Sequence, residues 1–75
     1  MNNHKAQAGD LLSRLVGDIR KLKENGIVAE ILVGTETMKF LDRCTGGKKS
    51  FMGIKYFEVE GVDLFYVHLK RVGKG

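Results

Sequence analysis

The chain has no proline, a single cysteine and no long apolar run. Each absence removes a class of explanation. Without proline, the turns have to be read from glycine and its polar neighbours. One cysteine, Cys44, rules out an internal disulfide framework and fits a reducing setting. No stretch approaches the length that spans a bilayer. The opening MNNHKAQAGD is polar and lacks the apolar centre of a signal peptide. These features predict a cytoplasmic protein with no membrane role. With 75 residues there is room for one domain and a small core, for which homo-oligomerisation is a natural supplement. A formal charge of +4 permits weak attraction to polyanions without establishing it.

What is present is concentrated in FMGIKYFEVEGVDLFYVHLKRV, residues 51–72, which holds most of the aromatic and β-branched side chains. It reads as a β-hairpin turning at Glu60-Gly61. Side chains alternate along a strand. The odd positions Phe57, Val59, Phe65, Val67 and Leu69 form one apolar set, and Ile54, Tyr56, Leu64, Tyr66 and His68 form a second. A three-residue loop, Val59-Glu60-Gly61, keeps both sets intact and avoids placing Glu58 opposite Asp63. The expected sheet is thus apolar on both faces. One face packs on helices, and the other is covered or serves as a contact patch.

Upstream, residues 1–9 read as a flexible leader, in which His4 is solvated. Residues 10–24 form an amphipathic helix with Leu12, Leu15, Val16, Ile19 and Leu22 on one stripe. Asp10 and Arg14 pair at i,i+4 on its wet side. Gly26 takes the left-handed position that ends it. The strand IVAEILV, residues 27–33, is apolar except at Glu30 and belongs at the centre of a sheet. A second helix spans 36–44, capped by Thr35, with Met38 and Leu41 inward and Cys44 a small buried hydrophobe. Residues 45–53 read as a mobile loop, and residues 73–75 as a disordered tail. The expected fold is α+β: a single-layer sheet of three strands in α-β-α-β-β order, ending in a hairpin, with the N-terminal helix on one face. Residues 10–72 make one domain. The first strand can run parallel to the second through a helical crossover or antiparallel beside the third, and both arrangements stay open.

No catalytic constellation emerges. Gly46-Gly47-Lys48-Lys49-Ser50 fails as a phosphate loop, because it follows a helix, precedes a strand and has the wrong spacing. The spacing brings no nucleophile or carboxylate to His68, which reads as a sheet-surface residue. Two histidines and one cysteine, far apart, make no zinc site. No cofactor is expected. Lys39, Arg43, Lys48 and Lys49 gather on one helix face and its loop, a patch suited to phosphates or an acidic protein surface. Tyr56 and Tyr66 beside Lys55 and Lys70 have the mix used by sheet-based single-strand binders, but the element order differs from theirs. Glu58, Glu60 and Asp63 collect at the hairpin tip, so the molecule is electrically polarised.

As a compact, basic, proline-free chain it resembles the small accessory proteins of bacteriophages and other mobile elements, a resemblance of genre that no motif carries. That resemblance implies a stoichiometric binder that inhibits or modulates a host macromolecule. The expected function is a non-enzymatic protein-binding module contacting its partner through Tyr56, Leu64, Tyr66 and His68, with Lys39, Arg43, Lys48 and Lys49 steering. The alternative is a nucleic-acid binder using the helix-loop 39–49.

Overall fold

Ile27–Val33 (β1) is apolar on both faces, and the fold places it where both of its edges are used. A computed structural model describes residues 4–74, with side chains described from residue 10 onward. The elements are α1 His4–Glu24, β1, α2 Thr35–Thr45, β2 Ser50–Phe51, β3 Ile54–Glu58 and β4 Val67–Lys74. The sheet is mixed, four-stranded and ordered β2-β3-β1-β4. β3 lies parallel to β1, with Ile31 beside Tyr56. β4 lies antiparallel on the other side, with Ile31 beside Leu69. Both arrangements left open by the sequence are therefore present at once.

The architecture is α+β, as expected, with the N-terminal helix on the sheet and one strand more than expected. The last two strands, however, do not pair with each other, because β1 lies between them. An edge position would leave one side of β1's backbone unbonded, and its apolar side chains suit the centre. The hairpin that the chain does form is β2–β3, with Phe51 opposite Ile54. Its Met52-Gly53 turn has positive φ at both residues, 53° and 79°, the pattern of a tight two-residue turn that matches strand twist. β2 lies within residues expected to be a loop. Two residues are too few to show any periodicity.

α1 starts before Asp10. Of the expected leader, residues 4–9 continue the helix, and residues 1–3 lie outside the described residues. Lys5, Ala6, Gln7 and Ala8 are good helix formers, and extending an existing helix is easy compared with nucleating one. The expected solvation of His4 lies outside the described side chains. The helix ends as expected, with Gly26 at φ 67° and its N–H bonded to the Lys23 carbonyl. Asp10 and Arg14 pair at 3.5 Å. The expected tail is also structured in part: Gly73 and Lys74 pair with Val28 and Ile27, while Gly75 lies outside the described residues. A register shift between Val28 and Ala29 leaves Val72 as the extra residue of a bulge.

Leu15, Ile19 and Leu22 recur at i, i+4 and i+7, and all three are buried. Together with Leu41 from α2, Leu15 and Ile19 meet Ile31, Val33, Ile54 and Tyr56 on one face of the sheet. Both helices therefore lie on the same side, and no described element covers the other.

The connection between β3 and β4, residues 59–66, carries the chain past the end of β1. It passes so close to Gly34 that a Cβ there would sit 2.1 Å from the Asp63 carbonyl oxygen and 2.7 Å from that of Leu64. Gly34 has ordinary extended backbone, φ −80° and ψ 175°, so the requirement is for space alone. The Gly34 N–H donates to the Tyr66 carbonyl at 2.8 Å. Gly34→Ala should lower stability in urea unfolding by about 2–3 kcal/mol, because backbone atoms cannot move aside as a side chain would. An unchanged midpoint would show that the connection does not need this contact.

Candidate binding surface

The face of the sheet away from the helices carries the even residues of β1, the odd residues of β3, and His68 and Lys70 of β4. Register sets Leu32 between Phe57 and His68. Tyr66 stands next to His68, ring centroids 6.4 Å apart and planes tilted by 36°. One row along, Glu30 faces Lys70, with Lys55 on the same face of β3. Val28 lies further out and is 48 % exposed, and Phe57 is 43 % exposed. The surface is thus an apolar and aromatic row bordered by a row of mixed charge. Glu30, the one polar interruption of β1, has a basic neighbour in register.

Four residues were expected to form the contact patch, and the structure separates them. Tyr66 and His68 lie on the open face. Leu64, 55 % exposed, projects from the connection before β4. Tyr56 is 2 % exposed and belongs to the core. Parity within residues 51–72 misplaces Tyr56 because β3 and β4 do not pair directly. With β1 between them, even residues of β3 and odd residues of β4 share the core face. Leu32, Phe57 and Val28 take the surface position instead. IVAEILV is apolar on both faces, so the choice of its outward face needed the strand order.

The Tyr56 hydroxyl donates to Asp42 Oδ1 at 2.7 Å and lies 2.8 Å from Thr45 Oγ1. Asp42 Oδ2 accepts from Lys49 Nζ at 2.6 Å. The Asp42 carbonyl accepts the N–H groups of Gly46 and Gly47, closing the end of α2, with Gly46 left-handed at φ 68°. The Lys49 hydrogen bond, then that of Tyr56, holds the Asp42 carboxyl below the usual carboxylate range. The same carboxylate raises the Lys49 ammonium, and burial pushes the Tyr56 phenol up.

This network also changes the expected basic patch. Lys49 is tied to Asp42, and Lys39 is paired with Glu36 at 3.2 Å. Lys48 is exposed, and Arg43 turns toward a separate groove. The four cations therefore do not act as one field. Cys44 is exposed rather than buried, since Thr37 and Leu41 take the inward stripe of α2.

The groove, about 1010 Å³, runs between α1 and α2 above the start of β4. Leu11, Leu15, Phe40, Phe65, Val67 and Leu69 supply its apolar lining. Thr37 also lines it, is 1 % exposed, and its hydroxyl has no hydrogen-bond partner. The cap of α2 differs from expectation too. Gly34 is the N-cap, and Thr35 Oγ1 donates to Glu58 at 2.9 Å. The Leu64 carbonyl takes the N–H groups of Glu36 and Thr37, at 2.9 and 3.2 Å. No spacing rule announces a cap delivered from so far along the chain.

Among the described residues no group of three or more His, Cys, Asp or Glu side chains is placed to hold a metal ion. No helix among them is long and apolar enough to cross a membrane. Comparison with protein-family models, with curated proteins and with solved structures returned no match.

Two measurements test this account of the site. Folded Asp42 resists protonation, so its contribution to stability is present above the unfolded value near 4 and is lost as pH falls through the depressed folded value. Tyr56 and Lys49 have raised values, so theirs is present below about 10 and is lost as pH rises beyond it. Urea melts at stepped pH should show both limbs, and Asp42→Asn should flatten the acid one. An acid limb identical in that variant would place its origin elsewhere. Thr37→Val should cost under about 0.5 kcal/mol, since no hydrogen bond is lost; a cost of about 2 kcal/mol would reveal a bond to the hydroxyl in solution.

Proposed function

We propose that this chain is a non-enzymatic protein-binding module, acting stoichiometrically on a larger macromolecule through the open face of its sheet. The observation that carries the reading is the uncovered row of Phe57, Leu32 and His68, extended by Tyr66 and Val28. A contiguous apolar and aromatic surface with a charged border has the anatomy of a protein interface. The rigid sheet holds these side chains in place before binding, which limits the ordering cost. Lys55, Glu30 and Lys70 supply the polar rim.

The competing reading, a polyanion binder using Lys39, Arg43, Lys48 and Lys49, loses support because Lys39 and Lys49 are neutralised by their own carboxylates. The two differ in salt response. Phosphate contacts weaken steeply as salt rises, whereas an apolar contact changes little.

The test is capture from lysate of the cell that makes the protein, at low and at high salt, with light scattering on the purified chain. A discrete protein retained at high salt is expected, and Phe57→Ala with Tyr66→Ala should weaken its capture by at least roughly tenfold, about 1.4 kcal/mol. Recovery of nucleic acid alone, lost at high salt and on replacing Lys48, would overturn the reading. A stable dimer broken by Phe57→Ala would assign the open face to self-association.

A further inference from the structure

β4 is the outermost strand, and its far edge meets no other strand among the described residues. Eight residues paired on one side only leave a row of backbone N–H and C=O groups along the other. α1 packs chiefly on β1 and α2 on β2 and β3, and only the groove lies between the helices and the start of β4. From Lys70 to Lys74 every residue is exposed.

The edge is selective by charge. VHLKRVGK contains Lys70, Arg71, Lys74 and His68 and no acidic residue. Lys70, Arg71 and Lys74 make no ion pair among the described residues. Two copies of β4 laid edge to edge would set these cations against each other, which is destabilising. A negatively charged strand meets the opposite condition.

The two sides of the edge ask for different side chains. On the helix side, Val67 and Leu69 continue into the groove with Phe40 and Phe65, where the unpartnered Thr37 hydroxyl also lies. Asp10, Asp18, Glu36 and Asp63 line that same groove and outnumber its cations Arg14 and Arg43, of which Arg14 is paired with Asp10, so the groove is net acidic and favours an apolar side chain over a carboxylate. On the open side, His68 and Lys70 receive carboxylates. An added strand presents alternate side chains to alternate faces.

We propose that the free edge of β4 docks an extended segment of another protein in which apolar and acidic residues alternate. The segment adds a strand to the sheet, its apolar side chains over the groove and its carboxylates toward His68 and Lys70. Main-chain bonds supply affinity and the alternation supplies specificity. This goes beyond the open-face reading, because it needs the backbone edge and the groove but neither Phe57 nor Leu32.

The test uses the full chain and a labelled decapeptide alternating valine and glutamate, followed by fluorescence anisotropy and amide hydrogen exchange. Saturable binding and new protection of amides in β4 are expected. Lys70→Glu with Arg71→Glu should weaken it roughly tenfold and confer binding of the alternating valine–lysine peptide, which a misfolded variant would not do. Phe57→Ser should leave peptide binding unchanged, so the edge site and the open-face site fail separately. The proposal is overturned by absence of binding. It is equally overturned if a peptide of the same composition in block order, or one with alternate amides methylated, binds as well, since that would be charge adsorption without strand pairing. Protection of β4 in the free chain, with dimers in light scattering, would give the edge to a second copy and also overturn it.

Discussion

One carbonyl oxygen, that of Leu64, holds the molecule's crossing together. It accepts the first free N–H groups of α2, while Gly34 beside it donates to Tyr66. A helix start left without acceptors is costly when buried, and here the acceptor arrives from the connection between β3 and β4. The same contact stops β1, starts α2, and fixes where β4 begins. Asp63 stiffens the connection by accepting the Phe65 N–H on its side chain at 2.8 Å. Without a bare glycine at position 34, these backbones could not approach.

The position of β1 follows from that crossing. Delivered to its far side, β4 completes the second ladder, and the core face acquires its parity: Ala29, Ile31 and Val33 between Ile54 and Tyr56 on one flank and Val67 and Leu69 on the other. Tyr56 then reaches Asp42, which also carries Lys49 and closes α2. Lys49, one of the cations expected to face outward, is thereby spent on an internal bond. The surfaces left over are the open face and the β4 edge.

Elements with a strong period were legible in the sequence. The stripe from Leu15 to Leu22, the central character of IVAEILV and the end of α1 at Gly26 all appear in the structure. Features without a local signature were not. β2 is shorter than any period, and the added turns of α1 rest on propensity rather than on an apolar stripe. The pairing of β3 with β1 is a long-range choice that a turn at Glu60-Gly61 imitates locally. Gly61 is left-handed, at φ 76°, yet β3 and β4 on either side of it do not pair. The candidate surface was therefore half legible. Tyr66 and His68 lie on the open face as read, whereas choosing between Tyr56 and Phe57 required knowing which strand lies between β3 and β4.

The central strand also sets the order in which the chain can complete itself. During synthesis β1 emerges early, with α2 and β3 following to pair one of its edges. Its other edge has no partner until Val67 to Lys74 have left the ribosome. An apolar strand waiting with an open edge is a target for misassociation. The α1 stripe, already made, can shelter one face of β1 during that interval but not its edge. Until β4 pairs with it, that edge of β1 is the part of the sheet open to misassociation.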